Sequence, residues 1–228
     1  LTILAFDCST QSCSAAVLRN QDVLACRSRA MTRGQSEALM PMIAAVLDEA
    51  GLGWPEISLI GVTVGPGTFT GIRIGLAAAR GLALAAHLPI AGIGTCEALA
   101  HGVAAEERRG RTLLVVVDSK RADLFVQAFD ERLVPLGPPA GMAPVKALDL
   151  APGPLLLAGD AAERLVALRP DAVLSSAPVH PDARIVARLA AVRHAAGTAL
   201  PAEPIYLRPP DVTLPARREP GQSEPVCR

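Results

Sequence analysis

Apolar and polar positions alternate in short blocks along the chain, and the blocks change period at recognisable punctuation. Residues 3–6 are an apolar run ended by Asp7-Cys8-Ser9-Thr10, and residues 14–18 and 22–26 follow as two more runs separated by Arg19-Asn20-Gln21. Runs of this length between polar turns predict a strand, a turn and a meander. From Ser36 and Glu37 the pattern turns helical, and it holds to Ala50, where Gly51 supplies the stop. Pro41 lies close to the first turn, where its cost is limited. Residues 59–64 are apolar and β-branched, as in a strand buried on both faces. They feed Gly65-Pro66-Gly67-Thr68-Phe69-Thr70-Gly71 and a helix predicted over 71–86. Residues 89–93 predict a further strand, and 95–104 a short helix capped by Thr95.

Glu106-Glu107-Arg108-Arg109-Gly110 is the one dense charge run, and it marks a predicted domain boundary. Beyond it, residues 113–117, the turn Asp118-Ser119-Lys120-Arg121 and residues 124–129 repeat the plan of the opening: strand, aspartate turn, strand. Residues 135–154 are crowded with Pro and Gly and predict loop. A strand over 155–158 leads to Gly159-Asp160, and helices are predicted over 161–168 and 182–196. The expectation is an α/β chain with one duplicated unit: a first domain at 1–107, a second at 108–208, and a Pro-rich, polar tail at 209–228 expected to be disordered.

Composition sharpens this picture. Hydrophobic residues are 50% and charged residues only 19% of 228, below the roughly 25% charge of an average soluble domain. Apolar surface is therefore expected to remain after the core is filled, and a partner is its expected use. Basic and acidic residues number 22 each and aromatics are 3%, which disfavours a chain that grips nucleic acid by itself. The five cysteines are odd in number and lack C-x-x-C spacing, as expected of reduced thiols in the cytoplasm. No basic, apolar leader and no long apolar span is expected at the N-terminus. His87, His101, His180 and His194 show no metal-ligand spacing.

The stretch Gly65-Pro66-Gly67-Thr68-Phe69-Thr70-Gly71-Ile72-Arg73-Ile74-Gly75 closely resembles the G-P-G-S-F-T-G-[IVL]-R-[IVL]-G signature of the TsaB family. Asp7-Cys8-Ser9-Thr10 is similar to that family's opening, Gln35-Ser36-Glu37 through Pro41 to its first helix, and Pro204-Ile205-Tyr206-Leu207-Arg208 to its C-terminal motif. Many members carry His where this chain has Gln35. The resemblance covers residues 1–210. It implies two related actin-like ATPase (ribonuclease H-like) domains in tandem, within the glycoprotease-like branch of that superfamily. It also implies a non-catalytic scaffold subunit for making threonylcarbamoyladenosine beside the tRNA anticodon. The implied partners are a TsaD-like catalytic paralogue and a TsaE-like ATPase, with a homodimer when the chain is alone. The tRNA is reached only through the complex, in the cytoplasm, with no membrane and no cofactor. The paralogue's two metal-binding histidines, four residues apart, align with Thr95 and Leu99 here, neither able to hold a metal in that way.

The residues themselves leave choices open. A phosphate cradle usually sets Gly beside the aspartate, and neither Asp7-Cys8-Ser9-Thr10 nor Asp118-Ser119-Lys120-Arg121 contains one. A small-molecule kinase or ATPase of the same fold is thus the alternative, and a metallopeptidase comes third. The glycine loop could hold an anion at a helix N-terminus or simply make a tight turn and an interface. The helices over 37–50 and 71–86 carry more apolar positions than one face needs. Either they are core helices of a layered domain, or Leu39, Met42, Ile43 and Val46 with Gly71, Ile72, Gly75, Ala79 and Leu82 meet a partner's helices. In the second case Gly71, Gly75 and Ala79 form a shallow groove for close helix approach. Arg73, Arg80 and His87 fall seven apart on one stripe.

Overall fold

In the computed structural model, which describes residues 1–207, β1 (Thr2–Asp7) and β2 (Ser12–Arg19) pair antiparallel, from Thr2 opposite Arg19 to Asp7 opposite Ser14. β3 (Asp22–Ala30) continues the meander beside β2, running on past the predicted end at 26. β4 (Leu59–Gly65) returns parallel to β1, and β5 (Ile90–Gly94) parallel to β4, giving the order β3-β2-β1-β4-β5. Alternation along β1 then sends Leu4 and Phe6 to one face and Ile3 and Ala5 to the other, so both faces need a cover.

Two helices cover the first face. α1 (Gln35–Ala50) turns Leu39, Ile43, Val46 and Leu47 toward the sheet and ends at Gly51, whose φ of +63° suits glycine. α2 (Phe69–Ala86) starts two residues earlier than predicted and turns Ile72, Leu76, Ala79 and Ala83 inward, at helical spacing.

The second sheet repeats the first. β6 (Thr112–Asp118) pairs antiparallel with β7 (Leu124–Phe129) and parallel with β9 (Leu155–Ala158). β8 (Ala140–Met142) lies antiparallel beside β7, and β10 (Val173–Leu174) parallel beside β9. Read from β8, the order β8-β7-β6-β9-β10 matches that of the first sheet strand for strand, in the same senses.

The expected boundary separates the sheets but not the layers. α3 (Thr95–Ala100), from the first stretch, packs Cys96, Leu99 and Ala100 against Leu113, Val115 and Val117 of the second sheet. α7 (Ala183–Ala195), from the second stretch, packs Val186, Ala187 and Ala190 against Ile3, Ala5 and Leu59 of the first. A cut at 107/108 would strip one face of each sheet, because sequence proximity does not decide which apolar face a helix covers.

Smaller expectations also change. Thr95 is not the cap of α3 but its first residue, behind Gly94 at the cap, and its buried hydroxyl has no partner. The stretch 135–154 is not all loop: it holds β8, α5 (Pro144–Ala147) and a 3-10 turn at Leu148–Leu150. The charge run forms α4 (Ala105–Arg108), and the helix predicted over 161–168 is the single turn α6 (Glu163–Val166). The expected tail at 209–228 lies outside the described residues.

Candidate functional site: an exposed helical face above a filled aspartate turn

Asp7 ends β1 fully buried. One carboxylate oxygen, Oδ1, accepts from the Ser9 amide at 3.0 Å, the Ser9 hydroxyl at 2.5 Å and the Thr63 hydroxyl at 2.5 Å. The other, Oδ2, has no partner. Burial raises its pKa above the usual aspartate value, against the pull of the Ser9 and Thr63 hydrogen bonds. The turn beyond it is occupied by the chain's own backbone: the Thr68 amide donates to the Ser9 carbonyl at 2.7 Å. A Cβ on Gly67 would sit 2.1 Å from that same oxygen, and one on Gly71 would sit 1.9 Å from the Cys8 carbonyl oxygen. The glycines of the loop are therefore there so that the start of α2 can lie directly on the Asp7 turn. Gly65–Pro66 is a cis bond within this loop.

The second aspartate turn differs. The Asp118 carboxylate accepts from the Lys120 amide and ammonium, each at 2.8 Å, and lies 3.8 Å from Arg164. Burial alone would raise its pKa, but the Lys120 hydrogen bonds and the two cations bring it below the usual value. Asp160 accepts from the Asp118 amide at 2.8 Å and is pushed up by burial. Thr10 is 3.1 Å from the His180 ring, a contact between the two stretches of chain. Among the described residues no group of three or more His, Cys, Asp or Glu is placed to hold a metal ion. Thr95 and Leu99 are both buried, Leu99 within the core under the second sheet. Cys8, Cys13, Cys26 and Cys96 are free thiols, and Cys227 lies outside the described residues.

Of the nine predicted interface residues, Leu39, Ile43, Val46, Gly71, Ile72, Gly75 and Ala79 are buried within this chain, while Met42 and Leu82 are half-buried. The three small residues of the expected groove are all buried in this chain. Gly75 and Ala79 face this chain's own sheet, where a Cβ on Gly75 would touch Val62 at 3.5 Å. The excess of apolar positions is real, but the members left exposed are others: Met40 on α1 is 45% exposed, and Phe69 and Leu84 on α2 are 57% and 79% exposed. α2 is apolar and long enough, by composition alone, to cross a membrane, yet only 33% of it is buried in the chain, and that part packs on the sheet. The nine predicted residues leave out the exposed Met40 and Leu84, although both lie among the excess apolar positions of the two helices.

Arg73 and Arg80 also receive roles. Arg73 donates through Nε to the Tyr206 hydroxyl at 2.8 Å and lies 3.6 Å over the Phe69 ring. Arg80 donates to the Ala202 carbonyl, and the Ile205 amide donates to the Val64 carbonyl at 2.8 Å. The segment 200–207 is thereby strapped along α2, which brings the glycine loop and residues 204–207 of the C-terminal motif together in space.

Residues 29–167, more than half of the chain, match the family model described as TsaD, tRNA N6-adenosine threonylcarbamoyltransferase. The chain belongs to this family. Within it the chain is TsaB-like. It is 33% identical over 126 residues to the tRNA threonylcarbamoyladenosine biosynthesis protein TsaB of Escherichia coli, covering 55% of this chain and 53% of that one. An uncharacterized protein of Mycobacterium tuberculosis is 30% identical over 216 residues, 92% of this chain and 93% of that one. The solved structure of YeaZ from Pseudomonas aeruginosa superposes with a TM-score of 0.76 at 25% identity, over 90% of this chain and 99% of that one. The TsaB resemblance read from the glycine loop therefore holds, and the α/β class with it.

Proposed function

We propose that this chain is a non-catalytic scaffold subunit in the biosynthesis of tRNA threonylcarbamoyladenosine. It binds a TsaD-like paralogue through the exposed face of α1 and α2, in a complex that also holds a TsaE-like ATPase. The tRNA is met only through the complex, the chain dimerises with itself when the paralogue is missing, and the setting is cytoplasmic. The two matching sheets are two related actin-like domains in tandem, with α3 and α7 exchanged between them.

One observation carries this reading: α2 is apolar nearly all round, yet only a third of it is fully buried, and Phe69 and Leu84 stand exposed. Fully covering side chains such as Leu84 and Phe69 is favourable by on the order of 1–2 kcal/mol each, so a surface of this kind is better occupied than exposed. The kinase or ATPase alternative is disfavoured because the first aspartate turn, where such an enzyme would cradle phosphate, is filled by Gly67, Thr68 and Gly71.

The test is co-elution of the purified chain with the TsaD-like paralogue of the same organism, followed by light scattering. A 1:1 or 2:2 complex is expected with wild type and none with Leu84→Glu. Calorimetry with magnesium ATP on the isolated chain is expected to show weak binding or none, and a tight, magnesium-dependent site would move the kinase reading to first place.

A further inference from the structure

The chain holds one Tyr, one Trp and four Phe in all, and two of these six rings meet on the surface at the start of α2. Phe69 and Tyr206 stack with centroids 5.7 Å apart and 28° between planes, at 57% and 48% exposure. Arg73 lies against both, 3.6 Å from the Phe69 centroid and 5.8 Å from that of Tyr206. An aromatic ring left open beside an ordered guanidinium is the composition of an interface anchor, since Tyr, Trp and Arg dominate binding energy where they are desolvated.

Position on the helix decides what must cover it. At about 100° per residue, Phe69, Arg73, Ala77, Arg80 and Leu84 fall within about 80° of one another, and all five are exposed. The same stripe thus carries the most exposed large apolar side chain of α2, Leu84, and two guanidinium groups. α2 contains no Asp or Glu. Among the described residues the guanidinium hydrogen bonds of Arg73 and Arg80 go to the neutral Tyr206 hydroxyl and Ala202 carbonyl, and neither has a carboxylate partner. A partner that covers Leu84 and Phe69 must also draw water away from these charges, which is unfavourable unless it supplies an opposite charge.

We propose that Phe69, Arg73 and Tyr206 form an anchor at the edge of the helical face, occupied by the same protein partner, which presents a carboxylate to Arg73. This rests on the reading given under Proposed function. A protein is favoured over a nucleic acid because the chain has no net charge, so it lacks the basic field that phosphate binding needs. The anchor also favours a partner that brings a carboxylate over a second copy of this chain, whose own α2 stripe brings none.

The experiment measures the affinity of the purified TsaD-like paralogue for wild type, Leu84→Glu, Arg73→Ala, Arg73→Lys and Tyr206→Phe, at low and high potassium chloride, with thermal melts of each. Arg73→Ala is expected to weaken binding about tenfold at low salt and to flatten the salt dependence, with Arg73→Lys restoring part of both. Tyr206→Phe keeps the ring and removes the hydroxyl that holds Arg73, so it is expected to weaken binding less than Arg73→Ala and to keep the salt dependence. Loss as large as that of Arg73→Ala would show that the strap matters rather than the charge, and would overturn the proposal. If Leu84→Glu abolishes binding while Arg73→Ala binds like wild type with the same salt dependence, the anchor fails and the scaffold reading stands. If Leu84→Glu binds like wild type, the scaffold reading itself falls, and the anchor with it. Arg73-dependent binding of tRNA by the isolated chain, with affinity for the paralogue unchanged, would assign the cluster to nucleic acid and also overturn it.

Discussion

Ala79→Glu places a carboxyl group at a site with no exposure at all, between α2 and the first sheet. Keeping that group neutral at pH 7, against an ordinary Glu pKa of about 4.3, costs about 3.7 kcal/mol. Forcing the extra heavy atoms into a filled site costs about 1–3 kcal/mol more. The sum, about 5–7 kcal/mol, is comparable to the whole stability of many domains. At about 2–4 °C per kcal/mol for a chain of this size, the melting temperature should fall by at least about 10 °C, or the chain should fail to fold. Leu84→Glu is the matched control, because Leu84 is 79% exposed on the same helix. It should melt within a few degrees of wild type yet lose the partner. Thermal melting of both variants, at a concentration where wild type is monomeric, is the assay. An Ala79→Glu protein that melts like wild type would refute the placement of α2 on the sheet.

Gly71→Ala should lower stability by about 3 kcal/mol, because its Cβ would strike the Cys8 carbonyl 1.9 Å away. Gly81→Ala on the same helix meets nothing within 4 Å and should gain about 0.5–1 kcal/mol. Denaturant unfolding of the two variants measures both. Asp7→Asn should become more stable relative to wild type as pH rises. The folded-state pKa of Asp7 is raised, so the folded chain binds more protons than the unfolded one above pH 3.8, and wild-type stability falls through that window up to the folded pKa. Melts from pH 4 to pH 8 should show the gap opening; a constant gap would show that Asp7 ionises normally. Thr95→His with Leu99→His should melt lower and gain no zinc by metal analysis, since both positions are buried and two imidazoles overfill them. Stoichiometric zinc in a stable double variant would contradict this.

The local elements were legible in the sequence because each is set by short-range chemistry. Apolar runs broken at Arg19-Asn20-Gln21 gave the meander, Gly51 gave the end of α1, and the recurrence of strand, aspartate turn and strand at residues 113–129 anticipated a second copy of the opening unit, though not the order of its sheet. The glycine loop was legible as a signature, but its cause was not. Only the folded chain brings Gly67 and Gly71 against the carbonyls of Ser9 and Cys8, which are about sixty residues away. For the helices, composition gave the amount of apolar surface and not its direction. Gly71, Gly75 and Ala79 suit a partner's helix or a nearby sheet equally well, and packing against Val62 and its neighbours chose the sheet. Arg73, Arg80 and Tyr206 carry no mark of one another in the sequence, since hydrogen bonds across 122 and 133 residues exist only once the C-terminal segment lies along α2. The exchange of α3 and α7 between the sheets is of the same kind. Each sheet needs both faces covered, and which helix covers which face is settled by where the chain can reach.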